Sequence, residues 1–253
     1  MAGVMALKRS TAALVTGAVL LLSASMALAA DPVEGVDYFP VQPQQPLTVA
    51  PGMVEVTEVF SYACPACNQF HTLLDQYAAN LPRHVVLDYV PASFSPAEDW
   101  PMFQRAFLTA QALGLITPRL HDAMFDAVWK TGQLAVVDYG TDRIKLPAPA
   151  IADAAAFYAA ATGVKPATFI ATANSFSVDV KIRQADQFVA ACQVDSTPTM
   201  IIDGKYRVSV SSSGGYPQLL AVTRWLVARE LAALPGAAPP AAPPKRTHHA
   251  HVG

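Results

Sequence analysis

The sequence predicts a mixed α/β fold in which two sheet-forming halves are separated by a block of helices. Three observations carry that prediction. "VEVTEVF" (54–60) and "VVLDYV" (85–90) are β-branched runs flanking one amphipathic helix, so they make a strand-helix-strand unit. From residue 97 to about 179 the apolar spacing is helical only. Near the C-terminus, Thr199–Ile202 and Lys205–Val208 read as two short strands joined by Asp203-Gly204, a strong hairpin signal.

Taken in order, residues 1–29 read as a signal peptide. Lys8 and Arg9 precede a long run of apolar and small residues, and Ala27-Leu28-Ala29 has the small-x-small pattern of a processing site, which places the cut after Ala29. The competing reading is an uncleaved anchor, since the run is nearly long enough to span a bilayer. Cleavage removes two basic residues and no acid, which moves the net charge of -2 to -4. A mildly acidic chain with no basic stripe cannot hold a phosphate backbone, so nucleic acid is excluded as a partner.

Residues 30–53 form a proline-interrupted lead-in with a short edge strand at Tyr38–Val41. The first half of the α/β fold occupies 54–96. Its helix starts at Pro65, places Phe70, Leu73, Leu74 and Tyr77 at helical spacing, and stops at "LPRH". The helical insertion, 97–179, holds four segments: "WPMFQRAFLTAQALGL", "RLHDAMFDAVWK", "ADAAAFYAAATG" and "KPATFIATANSF". The second half, 180–234, follows with "VDVKIRQADQFVAACQV" as one long helix, then the hairpin and a closing helix from Pro217 to Leu234. Residues 235–253 are Pro/Ala-rich and aperiodic, a disordered tail whose His248, His249 and His251 read as a solvated end.

The chemistry centres on "ACPAC". Three cysteines are too few for a disulfide scaffold, and two of them, Cys64 and Cys67, stand three positions apart at the start of a helix. That spacing puts both sulfurs on one face, within reach of a disulfide. Cys64 falls at the N-cap, Pro65 at the first helical position, and Cys67 one turn in. Unpaired backbone N–H groups and the helix dipole then stabilise a Cys64 thiolate, making it a good nucleophile and leaving group, while the deeper Cys67 acts as its internal partner.

Two other uses of the pair compete. A zinc site could draw on Cys64, Cys67 and His71 with Cys192 as a distant fourth ligand, but there is no second Cys-x-x-Cys, and His71 reads equally as a partly exposed helix residue. A purely structural disulfide would close too short a loop to stabilise much. Cys192, in "FVAACQV", reads as a small buried apolar residue. No nucleotide-binding glycine loop, His-Glu-x-x-His or Gly-x-Ser-x-Gly motif occurs.

"FSYACPACNQF" resembles the active-site segment of the DsbA family, and "VDSTPTMIIDGKY" resembles that family's cis-proline strand and turn. The resemblance spans about residues 50–234. It implies a thioredoxin fold carrying an inserted all-helical domain, and a periplasmic thiol:disulfide oxidoreductase that passes its disulfide to reduced, unfolded exported polypeptides. A quinone-linked membrane oxidase of the DsbB type would reoxidise it. The implied protein is a monomer that needs no cofactor and no metal.

By position, Cys64 matches the nucleophilic cysteine, Cys67 the buried one, and Pro198 the cis-proline preceded by Thr197. Pro65 and Ala66, between the cysteines, and Thr197 would contact substrate. Glu58 matches a buried acid beneath the site, able to relay a proton to and from Cys67. Glu55 on the same strand competes for that inward place, and periodicity alone leaves the choice open. The family's strongest oxidants carry Pro-His between the cysteines. Pro65-Ala66 lacks that imidazole, so a less oxidising disulfide is expected. A periplasmic reductase or isomerase is the nearest alternative, and a zinc-binding or chaperone-like module a more distant one.

Overall fold

In the computed structural model, the described residues are 30–138, 140–141 and 143–235. The expected signal peptide and all of the tail beyond Pro235 lie outside them. In chain order come β1 (Phe39–Pro40), β2 (Val54–Phe60), α1 (Pro65–Ala78), β3 (Val85–Pro91), a 3-10 turn (Pro96–Glu98), α2 (Trp100–Ala112) and α3 (Pro118–Trp129). They are followed by β4 (Val137–Asp138), β5 (Arg143–Ile144), α4 (Ile151–Thr162), α5 (Pro166–Ala173) and α6 (Phe176–Ala191). The chain ends in β6 (Thr199–Ile202), β7 (Tyr206–Ser209), α7 (Val210–Ser213) and α8 (Tyr216–Ala233).

Five strands form one sheet in the order β1-β7-β6-β2-β3. β2 pairs parallel with β3 and antiparallel with β6, and the hairpin partner β7 carries the edge strand β1. All seven residues of β2 are buried, so side chains on both faces of the strand are covered. Val54 and Val56 pack with Phe70, Leu74 and Tyr77 of α1 and with Leu219, Leu220 and Leu226 of α8. By strand alternation Glu58 shares their face, beneath α1, and Glu55 points the other way. There Glu55 accepts hydrogen bonds from the Thr48 amide and hydroxyl, each 2.7 Å. Both acids are buried, on opposite faces, which is why strand periodicity could not choose between them.

The insertion is not helical throughout. β4 and β5 pair antiparallel as a two-residue ribbon inside it, too short to leave an alternating pattern in sequence. The fourth predicted helix breaks at Asn174, because Ser175 turns to cap α6, its hydroxyl accepting from the Val178 amide at 3.4 Å. α6 therefore begins at Phe176, inside the span read as the insertion. α2 packs against α4, α5 and α6, and α3 packs on α1, joining the helical block to the first half of the sheet. The second hairpin strand runs Tyr206–Ser209, one residue later than the sequence pattern suggests.

The hairpin turn itself is as expected. Asp203 and Gly204 take φ of 52° and 62°, and the Lys205 amide donates to the Ile202 carbonyl at 2.9 Å. Lys205 Nζ reaches Asp203 and Glu230, each at 2.6 Å, tying the turn to α8. The lead-in folds over this turn, the Gln45 amide donating to the Gly204 carbonyl at 2.9 Å. A Cβ on Gly204 would collide with the Gln45 backbone as well as strain a left-handed φ. Gly204→Ala is expected to lower stability by about 2 kcal/mol in urea unfolding followed by circular dichroism, more than a surface substitution does.

Candidate active site

β2 delivers the chain to the site and α1 receives it. After Phe60 the backbone turns through Ser61, Tyr62 and Ala63, with the Cys64 amide donating to the Ser61 carbonyl at 3.1 Å. Cys64 takes the extended N-cap conformation (φ -80°, ψ 118°), and its Sγ accepts from the Cys67 amide at 3.4 Å. Pro65 fills the first helical position, where its missing N–H is no loss.

A second segment arrives from the other half of the chain. The Thr197–Pro198 bond is cis, and Thr197 faces Cys64. Thr197 Oγ1 donates to Cys64 Sγ at 3.1 Å, and the Cys64 thiol lies 3.5 Å from the Thr197 carbonyl oxygen. All three cysteines are free thiols. The hydrogen bond from the Cys67 thiol, with those from Thr197 and the Cys67 and Ala66 amides, outweighs burial and brings Cys64 down to about 6. Cys67 is fully buried, and burial, then Cys64 and Glu58, push its thiol well above the usual range. The two sulfurs of one pair are thus driven apart in acidity by one turn of helix.

Glu58 lies in the same field. It is fully buried, neither carboxylate oxygen has a hydrogen-bond partner, and burial followed by Cys64 and Asp75 raises its pKa well above the carboxylate range. Burial therefore favours the protonated form of Glu58 over its carboxylate. Of the residues singled out in sequence, Cys64, Cys67, Thr197, Pro198 and Glu58 converge here. Pro65 is exposed and Ala66 half-buried beside the pair.

The insertion holds the approach to Cys64 in a way the sequence did not signal. Trp129 Nε1 donates to the Tyr62 carbonyl at 2.7 Å, and the Tyr62 hydroxyl meets His121 Nδ1 at 2.8 Å. Burial, with His71 nearby, lowers His121 to about 3, so it is neutral. Nothing in the sequence ties Trp129 or His121 to residue 62, because only packing of α3 on the loop brings them together. A small cleft of about 100 Å³ opens beside Pro65, lined by Ala63, Val128, Trp129 and Val136 among others.

His71 departs from its expected exposure. It is buried and stacks on Phe125, ring centroids 4.7 Å apart and 16° from parallel. The cluster of metal-type side chains that includes it contains Asp75 and Asp122 and no cysteine, so among the described residues nothing gathers the Cys64, Cys67, His71 and Cys192 set. Cys192 caps α6 as a buried residue, its thiol pushed up to about 12 by burial.

No protein-family model matches the chain. It is 33% identical over 224 residues to the thiol:disulfide interchange protein DsbA of Pseudomonas syringae, an alignment covering 88% of this chain and 95% of that one. DsbA of Pseudomonas aeruginosa is 31% identical over 224 residues, 85% of this chain and 97% of its own. Among solved structures, the oxidoreductase DsbA of Xylella fastidiosa superposes with TM-score 0.69 and 32% identity over 79% of this chain and 98% of that one. The crystal structure of Pseudomonas aeruginosa DsbA gives 0.65 and 29%, covering 80% and 96%.

The Cys64 thiolate fraction should climb as pH rises through about 6, read as the alkylation rate with iodoacetamide or thiolate absorbance. Thr197→Val, which removes the hydroxyl donor, should move that midpoint upward. Glu58 holds its proton more tightly folded than unfolded, so it erodes stability as pH rises above its unfolded value near 4.5. Glu58→Leu should therefore stabilise the protein by about 1–3 kcal/mol at pH 8, the gain shrinking toward pH 5, in urea titrations at both pH values.

Proposed function

Because the chain belongs to the DsbA family of thiol:disulfide interchange proteins, we propose that its oxidoreductase chemistry runs through Cys64 and Cys67, with Thr197, Pro198 and Glu58 in support. The observation that carries this reading is the Cys64 sulfur at a helix N-terminus, 3.1 Å from the Thr197 hydroxyl on a cis turn.

In the oxidised protein Cys64 and Cys67 share a disulfide. A thiolate of the reduced substrate attacks Cys64 Sγ, the S–S bond to Cys67 breaks, and Cys67 leaves as a thiolate. Buried and with a raised pKa, that thiolate takes up a proton, and Glu58, whose proton is held more tightly by burial, is the nearby acid whose character suits the transfer. A second substrate thiolate then attacks the substrate sulfur of the mixed disulfide. Cys64 departs as the stabilised thiolate, and the substrate gains a disulfide as the protein gains two thiols. The low Cys64 pKa favours this direction, since it makes Cys64 the better leaving group and stabilises the reduced protein.

Substrate would be held by main-chain pairing to the Thr197 segment, with Pro65 and Ala66 forming the floor around the sulfur. Such pairing reads backbone rather than side chains and suits many unfolded chains. The setting proposed is the periplasm, reached through the cleaved segment 1–29, with reduced exported polypeptides as substrates and a quinone-linked membrane oxidase of the DsbB type restoring the disulfide.

The equilibrium potential of the Cys64/Cys67 pair in glutathione buffers is expected to be more oxidising than thioredoxin's, about -270 mV. A value at or below that would replace the oxidase reading with a reductase. Cys67→Ser should accumulate mixed disulfides through Cys64, seen as non-reducing gel adducts, whereas Cys64→Ser should form none and lose oxidation of reduced substrate by at least a hundredfold.

A further inference from the structure

One turn of α1 beyond Cys67 stands His71, and one turn further stands Asp75, an i, i+4 spacing that places both on one helix face. Asp122 of α3 meets them there. A ring nitrogen of His71 and one carboxylate oxygen from each aspartate lie within 4.8 Å of one another.

Three observations point to a ligand at this meeting point. His71 is only 7% exposed, and its Nδ1 lies 2.6 Å from the Asn68 carbonyl oxygen. Nδ1–H therefore donates to that carbonyl, which leaves Nε2 as the nitrogen a metal would take, the orientation typical of a metal-binding histidine. Asp122 Oδ1 is sealed from solvent and accepts no hydrogen bond. Finally, two carboxyl groups face each other, burial and the neighbouring Asp122 raising Asp75 to about 7, while no lysine or arginine forms an ion pair with either among the described residues.

We propose that His71, Asp75 and Asp122 form a binding site for a zinc-type divalent cation, held by one imidazole nitrogen, one oxygen from each aspartate and water. The imidazole selects a first-row transition metal over magnesium or calcium, which prefer all-oxygen shells. Tetrahedral zinc sets its ligands about 3.4 Å apart, and the two aspartates, only half-buried, can draw inward to that spacing. Three protein ligands and an open fourth position describe an exchangeable site rather than a closed structural one. The cation ties α1, which carries the cysteines, to α3, which grips Tyr62. It also neutralises the negative charge of Asp75 that faces Glu58. The site is separate from the cysteine chemistry and stands or falls without it.

Isothermal titration with zinc chloride tests the proposal. It uses the chain lacking residues 1–29, in its disulfide form so that no thiolate competes, with His248, His249 and His251 replaced by alanine to silence the tail. One zinc per chain is expected, with a rise in melting temperature. Asp122→Asn and, independently, His71→Gln should weaken binding at least tenfold and abolish the thermal shift. Asp126→Asn, one turn along α3 and ion-paired with Lys130 at 2.6 Å, should leave both unchanged. Asp122→Asn relieves a carboxyl–carboxyl contact, so it should fold at least as stably as the parent without metal. No saturable binding up to the order of 1 mM would mean that the pair holds a shared proton only, and would overturn the site. Parental affinity retained in either Asp122→Asn or His71→Gln would overturn it too.

Discussion

Everything at the candidate site depends on one constraint: the Cys64 sulfur must sit at the start of a helix, nearly buried, while its partner, three residues on, sits fully inside. A helix N-terminus leaves amide donors without intrahelical acceptors, and Cys64 Sγ takes one of them from Cys67. The same geometry buries Cys67 completely, so one turn of helix lowers one thiol and raises the other. Pro65 secures the register, since proline tolerates the first helical position and no interior one. Thr197 adds a hydroxyl donor from a segment more than a hundred residues away, which couples the acidity of the sulfur to closure of the whole sheet.

The fold leaves one costly feature in place to serve this arrangement. Glu58 is buried in β2, an interior strand of the sheet, with two unpartnered oxygens, where an apolar side chain would be more stable. Glu55, three residues earlier on the opposite face, shows how a buried acid is satisfied when no such demand exists, with two short hydrogen bonds from Thr48. The insertion contributes rigidity rather than reacting groups. An aromatic cluster of Phe60, Tyr62, Phe107, His121 and Phe125 packs it onto the end of β2, and Trp129 anchors the loop that leads to Cys64.

Much of this was legible along the chain, for reasons of range. β2, α1, the hairpin turn at Asp203-Gly204 and most insertion helices depend on periodicity and turn residues within a dozen positions, which sequence displays directly. Where reading failed, the deciding contact was either very short or tertiary. The ribbon of β4 and β5 has two residues a strand, below any periodic signal, and the break before α6 hangs on one capping serine. His71 looked equally suited to solvent because helix spacing cannot say that Phe125, from another helix, will stack on it.

The sequence by itself determined which residues could do chemistry: a cysteine pair at helical spacing behind a strand, a proline to start the helix, and a Thr-Pro step before a hairpin. These are local patterns, set by backbone geometry over a few residues. The tertiary structure decided what those residues are worth. Burial and neighbours, not residue type, split the acidity of Cys64 from that of Cys67, raised the pKa of Glu58, and assembled His71, Asp75 and Asp122 from two helices. Desolvation and charge-charge interaction act through space, and a one-dimensional chain does not record which groups will share it.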